Sequence, residues 1–336
     1  MATSLFAQQT RDRVMTVRCM RKTLHALPLD LAGVAHAATR HYRERDALRA
    51  VVNAQERLAD VEGAADDLAA LLAAQGPLHH RDIEAQLAAY GISTVRSRLA
   101  LKLAWERGDV AYLNASDSWN RELRTFALTK QVYPEADLGL ERMSATVQLV
   151  ESYFDRYGPA SLSDAVWWSA LSRTSVVDAL AKSGREVAAV STSWSEQPQY
   201  MFADRLEEFL STRAVGHSDG VNLLAHEDVA LKAYFETRRR YLGNLPPRRA
   251  FNQIGEVLPT VLHSGQVIGT WSWDPAKRRV VTSLVSGGST PETRRAVRAR
   301  ANLLTEILRC GWASNRPGRT VPIPGQLSLL PQHSPS

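Results

Sequence analysis

At 336 residues, with 44% hydrophobic residues and a formal net charge of +6, the chain has room for two or three globular domains. Its two cysteines, Cys19 and Cys310, lie far apart with no CxxC or Cys/His cluster, which excludes a disulfide framework and a zinc ribbon. No apolar run approaches a membrane span and no signal peptide is visible, so a cytoplasmic protein is expected.

The basic residues are nearly all arginine. A guanidinium fork binds phosphate oxygens bidentately, although a GC-rich genome produces the same bias.

Residues 1–9 show no cap and little periodicity. Residues 14–27 read as a strand or a helix-to-strand passage ending at Pro28, and residues 29–59 as a helix broken near 41–45. Asp66-Asp67 are placed to cap a helix over 68–74, which Gly76-Pro77 stops. A second helix follows over 81–90, with Ile83 and Leu87 on one face and Gly91 at its end. Ser93 caps a third over 94–106, with Val95, Leu99 and Leu103 inward and Arg96, Arg98 and Lys102 off the core face. Residues 109–113 and 123–128 read as a hairpin, with Ser118-Trp119-Asn120-Arg121 at its tip.

The scheme then recurs. Gln75-Gly76-Pro77-Leu78-His79-His80-Arg81-Asp82 has its counterpart in Tyr157-Gly158-Pro159-Ala160-Ser161-Leu162-Ser163-Asp164. Helices are expected over 146–157, 163–171 and, capped by Ser172, 174–182, with a hairpin of 186–190 and 199–202 around Trp194. Helix, Gly-Pro turn, helix, helix, hairpin is the layout of a winged helix, a helix-turn-helix variant. Two in tandem in a basic chain point to duplex DNA.

Beyond residue 204 the pattern changes. A short helix over 206–210, a loop over 214–222, a hairpin over 258–273 with a Ser264-Gly265 turn and a third strand over 280–284 are expected. Residues 291–309 read as an amphipathic helix with a basic face, and the tail from 315 is rich in Pro, Gly and Ser. The expected domains are 1–62, 63–135, 140–204, 205–313 and a tail, 314–336.

Three stretches carry a resemblance. They are Met20-Arg21-Lys22-Thr23-Leu24-His25, then Tyr157-Gly158-Pro159-Ala160-Ser161 with Trp167, then Val257-Leu258-Pro259-Thr260-Val261-Leu262 leading to Gly265, Gly269 and Trp271. In this order they resemble the winged-helix DNA-binding proteins that include bacterial DNA glycosylases for alkylated and crosslinked bases. The resemblance implies tandem winged helices around a basic channel for duplex DNA. It also implies a catalytic Gln-x-Gln or Gln-x-Asp ahead of the Arg-x-Thr-Leu-His stretch. Here only 19 residues precede Met20, and Gln8-Gln9 are adjacent rather than spaced. Adjacent side chains diverge by about 100° on a helix and face opposite ways on a strand, so they do not share one water. The catalytic motif is therefore expected to be missing, through a misassigned start or through loss of the first domain's helices.

The candidate DNA contacts are Arg96, Arg98 and Lys102 on the third helix, Trp119, Asn120 and Arg121 at the hairpin tip, and Arg238, Arg239, Arg240, Arg248 and Arg249 around Pro246-Pro247. Each also has a plain reading, as a solvated face or, for Trp119, as core. Trp167-Trp168 sit in an apolar helix and are expected in the core. His226-Glu227-Asp228 could serve acid-base chemistry, with Asp228 and His25 as catalytic candidates, but a cap for Asp228 and simple packing for His25 are the readier readings. His79-His80 is too isolated for a metal, and no metal or cofactor is expected. The whole reads as a mainly α protein with small β-hairpins (α+β), built of tandem winged-helix domains that bind duplex DNA and act on or protect against alkylated DNA. The alternative is a non-enzymatic DNA-binding regulator or damage shield.

Overall fold

A computed structural model describes residues 13–114, 123–212, 220–243, 245–285 and 289–314. Within them helices dominate and the sheets are small and antiparallel, a mixed α+β fold. The described residues form two compact units. One runs to Thr192 and includes Gln197–Glu208; the other holds Ser193–Glu196 and the residues from Phe209 onward.

The first unit opens with a hairpin of β1 (Val14–Arg18) and β2 (Leu24–Pro28), Arg18 opposite Leu24. A single 3-10 turn, Met20–Lys22, joins them. Arg21 and Lys22 adopt φ of 54° and 60°, a region that costs a residue with a Cβ roughly 1 kcal/mol. Local closure holds them there: the Cys19 N–H donates to the Thr23 carbonyl, and the Thr23 N–H to Met20.

Helix α1 (Leu29–Asn53) is continuous, so the break expected near 41–45 is absent. The polar run continues the helix because Arg43 is not exposed. Its guanidinium is 1% accessible and donates to Glu106 Oε2 at 2.6 Å, while Glu106 is fully buried. It also donates to His36 Nδ1 at 3.1 Å and Thr39 Oγ1 at 3.2 Å. Arg18 of β1 donates to the other Glu106 oxygen. Burial lowers the Arg43 pKa to about 10, which leaves it charged at neutral pH. Burial first, and then the Arg43 charge, push His36 down to about 3, so its imidazole is neutral and accepts from Arg43.

Helix α2 (Leu58–Gln75) starts well before Asp66-Asp67, which lie exposed in its middle instead of capping it. Val61, Ala64, Leu68 and Leu72 form one uninterrupted buried stripe, and that stripe sets the helix length. After β3 (Leu78–His79) come α3 (His80–Ala89), α4 (Thr94–Arg107), β4 (Val110–Asn114), β5 (Arg124–Leu128) and a single turn, α5 (Thr129–Val132). The sheet order is β3-β5-β4. Leu68, Leu72, Ile83, Leu87, Ala104, Tyr112 and Phe126 close the core. On α4 the buried residues are Ser97, Ala100, Leu103, Ala104 and Glu106, whereas Val95, expected inward, is exposed. The helix packs against both α1 and α2, and two flanking neighbours rotate the stripe away from the one read for a single face.

The second repeat comprises α6 (Arg142–Tyr157), α7 (Leu162–Ser169), α8 (Arg173–Lys182), β6 (Val187–Thr192) and β7 (Ser195–Phe202). The sequence repeat is a structural repeat. Two residues past each glycine, Leu78 pairs with Phe126 of the return strand and Ala160 bridges to Tyr200. One residue later, His79 caps α3 by accepting from the Arg81 N–H, and Ser161 caps α7 in a capping box with Asp164. Trp167 and Trp168 are half-buried rather than core: Arg21 covers the Trp167 ring at 4.0 Å, and Trp168 meets Tyr153 at 5.0 Å. Helix α9 (Ala203–Ser211) follows.

In the second unit the sheet order is β11-β10-β9-β8, from β8 (Val221–Leu224), β9 (Thr260–His263), β10 (Gln266–Asp274) and β11 (Arg279–Leu284). Residues 221–222 belong to a strand and not to the loop expected there; β8 is too short to show alternation and owes its form to pairing with β9. Ser264 and Gly265 both take positive φ, as a two-residue hairpin turn demands. Gly269 follows a register shift in β10, and a Cβ there would meet the Ser283 carbonyl at 2.3 Å. Two short helices, α10 (Val229–Lys232) and α11 (Arg239–Leu242), precede this sheet's hairpin. Helix α12 (Pro291–Ser314) packs on β8 and β11 through Thr293, Val297, Ala301 and Thr305, and the Thr305 hydroxyl accepts from the Val280 N–H at 2.9 Å.

Two outcomes test this core. Glu106→Ala leaves two arginines without their shared anion and should cost about 3–5 kcal/mol in urea unfolding; a loss below ~1 kcal/mol would show that the arginines re-pair. His36 has a depressed folded pKa, so the unfolded chain binds its proton first. Stability is then complete above pH 6.5 and declines as pH falls towards 3. Urea midpoints measured from pH 7 to pH 4 should fall more steeply for the parent than for His36→Gln.

Candidate nucleic-acid interface

Ser93 accepts from the Arg96 N–H at 3.2 Å and starts α4. The three cations expected to leave the core face are all paired with acids. Arg96 meets Glu56 at 2.8 Å and Asp60 at 3.5 Å. Arg98 forks onto Glu84 at 2.9 and 3.1 Å, and Lys102 lies 3.5 Å from Asp46. With the Arg98 side chain 68% exposed, solvent weakens this pair, so a phosphate can replace the glutamate cheaply.

Arg98 and Lys102 come together at a cavity of about 550 Å³, while Arg96 does not line it. Arg18, Arg124 and His80 join its rim, and Trp105, Tyr112 and Phe126 form its apolar wall. Trp105 meets Phe126 edge-on at 5.4 Å. Burial first, then the neighbouring His79, lower the His80 pKa, which favours the neutral ring. Glu106 also lines the cavity, but both its oxygens already accept from arginines, which makes it a structural anion. A cationic rim beside aromatic rings suits a phosphate with an attached planar base. A second cavity, of about 820 Å³, includes Arg107, but that arginine is already neutralised by Glu44 and Glu62 at 2.7 and 2.8 Å.

In the second unit the five arginines divide. Arg238 is half-buried; it donates to the Tyr234 carbonyl at 3.0 Å and covers the Phe251 ring at 3.8 Å. Arg240 is half-buried and lies 4.0 Å from the Tyr234 ring. Arg239, Arg248 and Arg249 are exposed, the last two on a 3-10 turn that Pro247 starts.

Asp228 caps α10, its carboxylate accepting from the Ala230 and Leu231 N–H groups at 3.0 and 3.1 Å. Glu227 pairs with Lys232 and accepts from the Val257 N–H. His25 is half-buried, with Nε2 2.9 Å from the Thr23 hydroxyl. His25 and Asp228 belong to different units. Trp119, Asn120 and Arg121, like Gln8 and Gln9, lie outside the described residues. Among the described residues no cluster of acids, histidines and cysteines could hold a metal ion, and no helix is long and apolar enough to cross a membrane.

Sequence reasoning missed Arg18, His80, Trp105, Glu106 and Arg124. The position of Arg124 at the start of the return strand was an available signal. Nothing local links Arg18 to Glu106, 88 residues away.

Fold and cavity together define a class: helix-rich α+β proteins with cationic surfaces suited to a phosphate-bearing partner. The family model described as DNA glycosylase AlkZ-like matches residues 4–307, and the chain belongs to that family. Among solved structures it is similar to the DNA glycosylase AlkZ of Streptomyces sahachiroi, with a TM-score of 0.69 and 20% identity over 89% of this chain and 80% of that one. No curated protein sequence matches it.

Cap and acid roles for Asp228 are separable. Asp228→Asn keeps a capping oxygen and should unfold within ~0.5 kcal/mol of the parent, whereas Asp228→Ala should lose about 1 kcal/mol. Equal stability in both variants would deny the cap.

Proposed function

We propose that the chain binds duplex DNA through two tandem winged helices and acts on alkylated bases, in the cytoplasm at the nucleoid. The observation that carries this reading is the family match across residues 4–307. Two segments of three helices and a hairpin, with matched Gly-Pro turns, support the winged-helix assignment, in which α4 is a recognition helix and presents Arg98 and Lys102.

The reaction is hydrolysis of the N-glycosidic bond of a cationic alkylpurine. Water oxygen bonds to C1′, the C1′–N bond breaks, and its electron pair neutralises the base; the proton leaves to solvent. Because alkylation already makes the base a good leaving group, orienting the water and stabilising an oxocarbenium-like sugar suffice.

A second reading, a DNA-binding protein or damage shield without excision, is favoured by the fate of the described candidates. Asp228 caps a helix, and Glu106, the buried acid beside the cavity, is saturated by two arginines.

Two matched duplexes, one plain and one with a single N7-alkylguanine, titrated over a salt series and then heated in alkali, separate the readings. Lesion preference with strand cleavage establishes excision; salt-sensitive binding without cleavage establishes the shield; no binding at low salt overturns both. The double variant Arg98→Ala, Lys102→Ala should fold normally and flatten the salt slope by about 1.8, or 0.9 per phosphate contact. An unchanged slope would remove α4 from the interface.

A further inference from the structure

The second unit carries an arginine cluster that this interface does not use. Where α12 lies against the edge strand β11, a groove of about 670 Å³ opens along the seam. Arg279 lines it from the strand, and Arg294, Arg298 and Arg309 from the helix, against a single carboxylate, Glu306. Arg96, Arg98, Arg107, Arg185 and Arg205 in the first unit each pair with acids. Among the described residues Arg294 and Arg298 form no close ion pair, and Arg279 stands opposite Asp274 across the β10–β11 ladder without closing one. Gathering like charges in one groove costs free energy unless an anion is drawn in.

We propose that this groove grips the phosphate backbone of duplex DNA, independently of sequence, as a contact surface additional to α4. The inference rests on the reading of the chain as a duplex-DNA binder. Guanidinium forks match phosphate oxygens. No aromatic residue lines the groove, so it offers no stacking platform for unpaired bases, and backbone contact is the interaction left. Arg294 and Arg298 stand one turn apart, about 6 Å along the helix, and Arg294 to Arg309 spans about 22 Å. That is the rise of roughly six base pairs, a footprint of several phosphates.

The test uses the full chain and a plain duplex over a salt series. The triple variant R279A/R294A/R298A should reduce the salt slope by about 2.7, from 0.9 per contact. E306Q removes the one carboxylate that lines the groove and should tighten binding, while the triple lysine variant R279K/R294K/R298K should keep most of the slope. Matched circular dichroism and melting confirm folding, and the E306Q and lysine variants carry the test if the alanine variant fails to fold.

Unchanged slopes in the alanine and E306Q variants, with the parent still binding, overturn the groove alone. A parent that binds no duplex at low salt overturns the groove and the DNA reading together. Loss of binding to phosphatidylserine vesicles in the alanine variant, with duplex binding intact, assigns the groove to a lipid surface and overturns the proposal.

Discussion

The first unit depends on one carboxylate. Glu106 is fully buried at the end of α4 and takes a guanidinium on each oxygen, Arg43 from α1 and Arg18 from β1. A charge removed from water costs several kcal/mol unless it is paired and hydrogen-bonded. These three elements therefore have little freedom to move apart. Two arginines on one glutamate leave a positive surplus, and His36, which touches Arg43, stays neutral through its burial first and that charge second. The same pairing orients β1, and with it the strained turn that places Arg21 over Trp167 and Lys22 against Asp46. The cavity beside α4 has this network as part of its lining.

Arginines are held in several ways. In the first unit Arg98, Arg107 and Arg185 are met by glutamates and aspartates, in pairs that solvent weakens. In the second unit the half-buried arginines Arg238 and Arg240 rest on aromatic rings, while those on α12 and β11 face an open groove. Arginine richness thus serves three ends in one chain: core pairing, ring stacking and open cationic surface.

The repeat was the most legible feature of the sequence because local rules enforce it. Gly76 takes a positive φ of 78°, prolines follow both repeat glycines, and the residues two and three positions beyond each glycine join the return strand and cap the next helix. Ser93 and Ser172 cap where their spacing placed them. The Ser264-Gly265 turn and the three strands around it follow from alternation and turn chemistry in the same way. Polar runs were harder to read. The run 41–45 looked like a break because its burial depends on Glu106, and Asp66-Asp67 looked like a cap because the stripe beneath them began earlier.

The sequence by itself determined the repeated Gly-Pro unit, the Ser93 and Ser172 caps, the Ser264-Gly265 hairpin and the basic character of α4 and α12. These follow from residue-level propensity, periodicity and backbone sterics, all local to a few turns of chain. Only the tertiary structure decided which charges are buried, which face of α4 packs inward, and which cations meet at a cavity. Those outcomes depend on partners such as Arg18 and Glu106, far apart along the chain, whose pairing exists only once burial has removed the water that would otherwise solvate them.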